Sequence, residues 1–411
     1  MMNILKWTLI NIIIVILLLF ATDRLLALLG YPEETPPKSA HRPNVSKTLK
    51  SIEFEYEFST NELGIRYPEI SLSKPEGDVR ILLLGDSFTE GVGVEANETF
   101  GTLLENHYRM TGESNVNFIN GGLGGEGPPR FWRVFSDVGL ALDPDGVLIC
   151  IYANDLMDTP ATLTYEDLYR LAPRRFGFDK KVHDLLPRVH NLLSEAGRII
   201  QRELRQSGTF VETVTDLAHE RGLSEDAIRK WKQALPQELI DASDAGEFNK
   251  ALLSMGLFQP DYWSEAIDVN TPAALQKYAA MTRVLDEITA VARKRDIAIG
   301  LVYIPAPMQY DPGRHASWNP WIIGGVEFKP QWLTEESEIQ RRLAGWAQGN
   351  EVPFLDLTPS LREAIGRGRK LNFKLDGHWN ADGHGVAGEA ITKWIDGDDV
   401  FPVLRRARSV N

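Results

Sequence analysis

The sequence predicts an α/β fold, a parallel sheet with helices on both faces. Three observations carry that prediction. From Val79 onward, short apolar runs of strand type alternate with amphipathic helical stretches. Three consecutive runs end in loops of polar and glycine chemistry. The alternation breaks once, between Thr159 and about Pro272, and then resumes. Strands separated by helices pair in parallel, because parallel neighbours need a crossover of a dozen or more residues.

Taken in order, Trp7 to Ala21 is nearly unbroken Ile, Leu, Val and Phe, with only Thr8 and Asn11 polar. With Ile4 and Leu5 the run approaches the roughly 20 residues that a helix needs to cross a bilayer core. Phe20-Ala21-Thr22-Asp23 is a poor cleavage site, so an uncleaved signal-anchor is expected over residues 1–30. Lys6 and the α-amine place the globular part outside the cytoplasm. Residues 31–78 read as a stalk and N-terminal extension, proline-rich from Pro32 to Pro43, with a short edge strand at Ile52 to Phe58.

Residues 79–160 then form the first half of an α/β core. Val79 to Leu84, Asn115 to Ile119 and Gly146 to Tyr152 are strands; Thr99 to Met110 and Pro128 to Leu140 are helices. Residues 161–272 are charged and helical, as in Lys181 to Gln206 and Leu223 to Ala234, and read as an insertion. Residues 273–411 supply the second half. Helices are expected at Ala273 to Arg295, Glu335 to Asn350 and Ala381 to Ile395, and strands at Ile297 to Ile304 and Val352 to Leu357.

A chain of 411 residues with 43% apolar and 25% charged residues is ordinary for a globular protein. Its net charge of −13 argues against a nucleic-acid partner, which would favour a basic face. Cys150 is the single cysteine, so no intrachain disulfide forms.

The three strand-end loops are Gly85-Asp86-Ser87, Asn120-Gly-Gly-Leu-Gly-Gly125-Glu-Gly127 and Ala153-Asn154-Asp155. In a parallel sheet they share the carboxyl edge, where open α/β sheets bind ligands. They bring one hydroxyl, several unobstructed backbone N–H groups and one carboxamide to one crevice. Acyl transfer needs that inventory, a nucleophile and donors for the oxyanion. Among the eight histidines, His378 is the best placed base, just before the last helix. Asp376, two residues upstream, can bond Nδ1–H and leave Nε2 for the serine proton. His384 lies inside the terminal helix without a nearby acid and reads as structural.

Gly85-Asp86-Ser87, Asn120 to Gly125, Asn154-Asp155 and Asp376-x-His378 resemble, in order, the four blocks of the SGNH (GDSL) hydrolase superfamily. The resemblance covers about 79–160 and 273–395. It implies a flavodoxin-like three-layer α/β/α sandwich. It also implies Ser87 as nucleophile, His378 as base and Asp376 as its orienter. The oxyanion would be held by the N–H groups of Ser87 and Gly125 and the side chain of Asn154. The glycine-dense loop leaves Gly122 and Gly124 open in place of Gly125. The Asp-x-His-Trp form at Asp376 to Trp379 is similar to the alginate O-acetyltransferase branch, whose members are periplasmic or membrane-associated. Where the family often reads Gly-x-Asn-Asp, this chain has Tyr152-Ala-Asn-Asp155; the tyrosine narrows the pocket or adds a hydroxyl to it.

Rival readings are weaker. Gly122-Leu-Gly-Gly-Glu-Gly127 matches a dinucleotide fingerprint but follows the second strand, and Pro128-Pro129 replaces the usual helix start. The nucleophile elbow of the α/β-hydrolases lacks its second glycine at Thr89. No H-E-x-x-H motif calls for zinc. A carbohydrate-binding scaffold would have tolerated loss of the serine, histidine or aspartate, and none is lost. Arg130 and Trp132 are read as helix surface and core, Trp379 as packing of its turn, and Arg174-Arg175 and Lys180-Lys181 as a solvated helix face. The expectation is a membrane-anchored serine esterase or O-acyltransferase outside the cytoplasm. It needs no cofactor or metal and acts on an acylated small molecule or polysaccharide, with the membrane as its other partner.

Overall fold

The computed structural model describes residues 2–30, 40–111, 115–169, 181–182, 184–194, 196, 208–314, 329–398 and 400–404, with the side chains of 2–6, 9, 10, 12 and 13 outside that set. Two compact units divide the chain, 1–38 with 169–213 and 39–168 with 214–411. In the first, helix α1 (Met2–Leu28) exposes its described apolar residues Ile14 to Leu18. Asp23 is fully buried and accepts the N–H groups of Arg188 (2.9 Å) and Val189 (3.2 Å). Among the described residues no helix is long and apolar enough to cross a membrane, so the expected transmembrane helix is not supported. Asp23, at the end of the apolar run, caps the helical turn that starts at 187. Arg174-Arg175, Lys180 and much of the helix expected at Lys181 to Gln206 lie outside the described residues.

The second unit opens with an antiparallel hairpin, β1 (Ser46–Lys50) and β2 (Glu55–Ser59). The alternation at Ile52 to Phe58 located the buried face, Tyr56 and Phe58, but not the partner. The strand pairs locally in a two-stranded sheet and is not an edge of the main one. From residue 40 onward the expected stalk is therefore part of the globule.

Strand β3 (Val79–Leu84) leads into the single turn α2 (Ser87–Glu90), then α3 (Phe100–Met110), β4 (Val116–Asn120), α4 (Pro128–Arg133) and β5 (Gly146–Tyr152). The expected helix from Pro128 to Leu140 is α-helical only to Arg133. It continues as a π turn and a 3-10 turn where Gly139 lies directly against Leu82. Five helices follow between Phe210 and Asp268, including α5 (Lys250–Phe258) and α6 (Tyr262–Asp268). The inserted residues from 214 on belong to the same unit as the sheet. Ile52 N–H donates to Glu247 O (2.9 Å) and Lys50 pairs with Glu247 (2.6 Å), joining the hairpin to them. The core closes with α7 (Pro272–Lys294), β6 (Ala298–Ile304), α8 (Glu338–Gly349), β7 (Phe354–Asp356) and α9 (Ala381–Asp398).

The main sheet is parallel throughout, in the order β4-β3-β5-β6-β7. β3 and β5 are buried along their whole length, as strands covered on both faces must be. Each such Leu or Ile contributes about 1.5–3 kcal/mol. The chain steps from β3 to β4, then returns past β3 to β5 and continues outward. Right-handed crossovers then put α3 on one face and α4, α7 and α8 on the other. The contacts of α3 with α9, and of α7 with α4, agree. This is the flavodoxin-like order, and its crevice lies where the direction reverses, between the carboxyl ends of β3 and β5.

Candidate active site

Ser87 stands at that reversal, as the first residue of α2. Asp86 caps the turn, its Oδ1 accepting Phe88 N–H at 3.0 Å. Ser87 Oγ lies 2.7 Å from His378 Nε2. His378 Nδ1 is hydrogen-bonded to Asp376 Oδ1, which also accepts His378 N–H at 3.2 Å. Two residues 291 positions apart thus meet at hydrogen-bond distance, with the acid behind the base. Burial alone would pull the His378 imidazole down. The Asp376 carboxylate, with Asp86 and Glu90 adding to it, outweighs burial and holds it above the usual histidine range. Burial would likewise push Asp376 up, and His378, its hydrogen bonds and Arg314 hold it below the usual carboxylate range.

Around Ser87 lies a pocket of about 600 Å³. Gly125 and Asn154 both line it. Gly125 has φ +75°, a conformation that favours glycine, and nothing lies within 4 Å of where a Cβ would stand. Gly122, by contrast, is pressed against the backbone of Glu90. Asn120 shapes the loop by accepting Gly122 N–H at 3.0 Å. Tyr262 of α6 lines the same pocket beside Asn154 and Asp158, so α6 forms the wall next to the carboxamide. Tyr152 lines the pocket, its ring tilted against Phe88 with centroids 4.1 Å apart, and so narrows it.

The other expectations fall as follows. Trp379 is fully buried, edge-on to Phe88, and donates to the Tyr310 hydroxyl at 3.2 Å, packing its turn. His384 accepts Phe100 N–H at 3.3 Å, and burial pulls its imidazole down to about 3, which suits a structural residue. Arg130 pairs with Glu126, and Trp132 is buried with its indole on Leu168 O.

Two residues that sequence reasoning missed hold the Asp376–His378 turn. Glu53, in the β1–β2 loop, accepts the N–H groups of Leu375 and Asp376, each at 2.7 Å. Buried Arg314 donates to the carbonyls of Phe373 and Lys374. Neither lies near a motif, and single charged residues 60 and 322 positions away carry no sequence signal. Glu53→Ala leaves two donors unpaired and loosens the turn. A fall in kcat of about 10- to 100-fold with KM little changed is expected, and Glu53→Gln, which keeps an acceptor, should restore most of it. Steady-state kinetics on the three proteins decide this; equal losses in kcat and KM would deny Glu53 a positioning role.

Three further acids, Asp86, Asp155 and Asp158, interact with one another near the site. Burial pushes Asp86 up to about 7, with Asp158 adding to it and Phe88 N–H and His378 opposing. Burial pushes Asp158 up to about 6, and burial with repulsion from Asp86 and Asp158 pushes Asp155 well up. An acid whose folded value is raised contributes stability below its unfolded value of 3.8 that is lost as pH rises through about 7. Asp86→Asn keeps the cap and removes that loss. Its melting temperature relative to wild type should therefore climb by roughly 2–5 °C between pH 5 and pH 8. A pH-independent difference would show that Asp86 does not titrate in that window.

The model of the family described as GDSL-like lipase/acylhydrolase matches residues 81–260. The match bears out the superfamily read from the four blocks and does not single out the alginate O-acetyltransferase branch. It extends over the insertion and stops before Asp376 and His378, which the fold itself brings to Ser87. No curated protein matches the chain. Among solved structures, the chain is similar to a lipase/acylhydrolase from Enterococcus faecalis at 13% identity. The alignment covers 78% of this chain and 96% of that one, with a TM-score of 0.34. A GDSL-like lipase from Bacteroides thetaiotaomicron gives 12% identity over 79% and 92%, with a TM-score of 0.32. An acetyl xylan esterase gives 10% over 76% and 98%, with a TM-score of 0.33. At such scores the weight rests on the family match and on the geometry of the site.

Proposed function

We propose that this chain, a GDSL-type serine hydrolase, cleaves acyl esters of hydroxylated molecules through an acyl-serine intermediate. The observation that carries the reading is the 2.7 Å contact between Ser87 Oγ and His378 Nε2, with Asp376 on the far ring nitrogen. Ser87 Oγ attacks the ester carbonyl carbon as its proton passes to His378 Nε2. Asp376 stabilises the imidazolium. The oxyanion takes hydrogen bonds from Ser87 N–H, Gly125 N–H and the Asn154 carboxamide. When the tetrahedral adduct collapses, the bond to the alcohol oxygen breaks and that oxygen takes the proton from His378. Water, activated by His378, then adds to the acyl-serine and releases the acid.

A sugar hydroxyl in place of that water would make the protein an O-acetyltransferase acting on a polysaccharide. The pocket favours keeping this second reading, because about 600 Å³ walled by Phe54, Phe88, Tyr152 and Trp263 holds far more than an acetyl group. Two assays on the full chain separate them: acetate release from p-nitrophenyl acetate, and acetyl transfer from it to an oligosaccharide. Absence of both activities would sink the reading. The apolar run Trp7 to Ala21 with Lys6 before it supports a further part of the proposal, that the chain is held at a membrane with its catalytic unit outside the cytoplasm. Retention in the membrane pellet after alkaline carbonate extraction is the expected result, and release into the supernatant would remove it.

A further inference from the structure

A second imidazole–carboxylate pair lines the same pocket as Ser87. His41 Nε2 is hydrogen-bonded to Glu90 Oε1, and both residues line the cavity. Glu90 sits on α2 three positions after Ser87, with its side chain 5% exposed; that of His41 is 31% exposed. Neither residue makes or breaks a bond in the catalytic steps described above; Glu90 enters them only through its charge, which adds to that of Asp376 in holding His378 up.

The pair is firmly built. His41 N–H donates to Gly64 O at 3.0 Å, and a Cβ on Gly64 would fall 2.2 Å from His41 O. The two backbones are pressed together, so the ring has a fixed root. Its edge meets Phe58, with ring centroids 5.2 Å apart. On the other side, the Glu90 carbonyl accepts from Arg66 (3.1 Å) and Asn120 (3.3 Å). Glu90 Oε2 occupies the space that Gly124 leaves open, 2.7 Å from where a Cβ there would stand. The carboxylate therefore lies beside the glycine loop that carries the proposed oxyanion donor.

The chemistry of the pair is specific. In the neutral tautomer that gives Nε2–H to the carboxylate, His41 Nδ1 carries the lone pair and can accept. Among the described residues Nδ1 has no hydrogen-bond partner. An alkyl acyl chain would gain nothing from such a group and would desolvate it at a cost. A free hydroxyl on the alcohol half of the ester would satisfy it. The pocket also offers Phe54 as an apolar wall and Lys47 and Lys50 as polar residues.

We propose that His41 and Glu90 form the subsite for the alcohol half of the substrate, a polyhydroxylated alcohol such as a sugar ring, with His41 Nδ1 accepting one of its free hydroxyls. This rests on the esterase reading above. The test compares kcat/KM of the full chain on methyl 6-O-acetylglucoside, whose alcohol keeps free hydroxyls, and on p-nitrophenyl acetate, whose alcohol has none. His41→Gln keeps a donor for Glu90 and removes the Nδ1 lone pair; Glu90→Gln removes the charge that fixes the ring. In both variants the sugar-to-aryl ratio of kcat/KM should fall by about tenfold, through KM more than kcat, the value of one hydrogen bond. Parallel losses on both esters, or an unchanged ratio, would overturn the subsite. So would a wild type that cleaves the aryl ester but not the sugar ester, while leaving the esterase reading intact. Cleavage of neither ester would remove the esterase reading and the subsite with it.

Discussion

Ser87→Ala is expected to lower ester turnover by at least about 10⁴-fold, with no acyl adduct detectable by mass spectrometry. The size of the effect follows from what Oγ does. It forms the bond that splits one difficult step into two easier ones. Without it, His378 can only activate water against the ester directly, and the oxyanion donors supply what catalysis remains. Folding should hardly change. The variant loses the 2.7 Å bond to His378 and a 3.4 Å contact with Asp86, both at the floor of an open pocket, and gains a better helix former in α2. A shift of no more than about 1 kcal/mol in stability is expected. The check is a pair of measurements on one preparation, p-nitrophenolate release and a thermal melt. Turnover above about a hundredth of wild type with an unchanged melt would place the nucleophile elsewhere.

That prediction was reachable from the sequence because its parts are local. Apolar runs of strand length bounded by glycine fix β3, β4 and β5 to within two residues, and parallel pairing then forces their loops to one edge. Asp376 and His378 were legible for the same reason, as a two-residue spacing in a turn before a helix. What surrounds them was not. Glu53 reaches the turn across 322 positions of chain, and its β1–β2 hairpin has no motif of its own. Tyr262 lines the pocket beside Asn154 from α6, whose position there depends on tertiary packing. His41 lies in a proline-rich stretch whose composition reads as linker, yet its backbone is pinned by Gly64. Periodicity reports which face of an element is buried; it is silent on which distant element covers it. The N-terminal extension was misread on that account, since 40–66 supplies a wall of the pocket, the clamp on the catalytic turn and, in Arg66, hydrogen bonds to the carbonyls of Glu90 at the end of α2 and of Gly91 and Val94 beyond it.

Asp376→Asn is the second large effect, expected at about 10²- to 10⁴-fold in kcat. The substitution is informative because it is nearly isosteric. Asp376 Oδ1 accepts from both His378 N–H and Nδ1, and an asparagine Oδ1 can keep both bonds. What disappears is the charge. That charge is what outweighs burial and lifts the His378 imidazole above its usual range. Two consequences follow in opposite directions. Loss of the carboxylate removes the partner of the imidazolium in the transition state, so the rate falls at every pH. It also lowers the pH at which His378 becomes neutral. The base works only when neutral, so the ascending limb of the pH–rate profile should begin above the ordinary histidine value in wild type and move to lower pH in the variant. Arg314 sharpens the test. It pulls Asp376 further down through charge while holding the turn through the Phe373 and Lys374 carbonyls. Arg314→Met removes both clamps on the turn and should therefore cost more stability than Asp376→Asn, which keeps both Oδ1 bonds. A profile whose limb stays in place in Asp376→Asn would mean that Asp376 orients the ring without charging it. A limb that moves up in pH would refute the assignment of the acid.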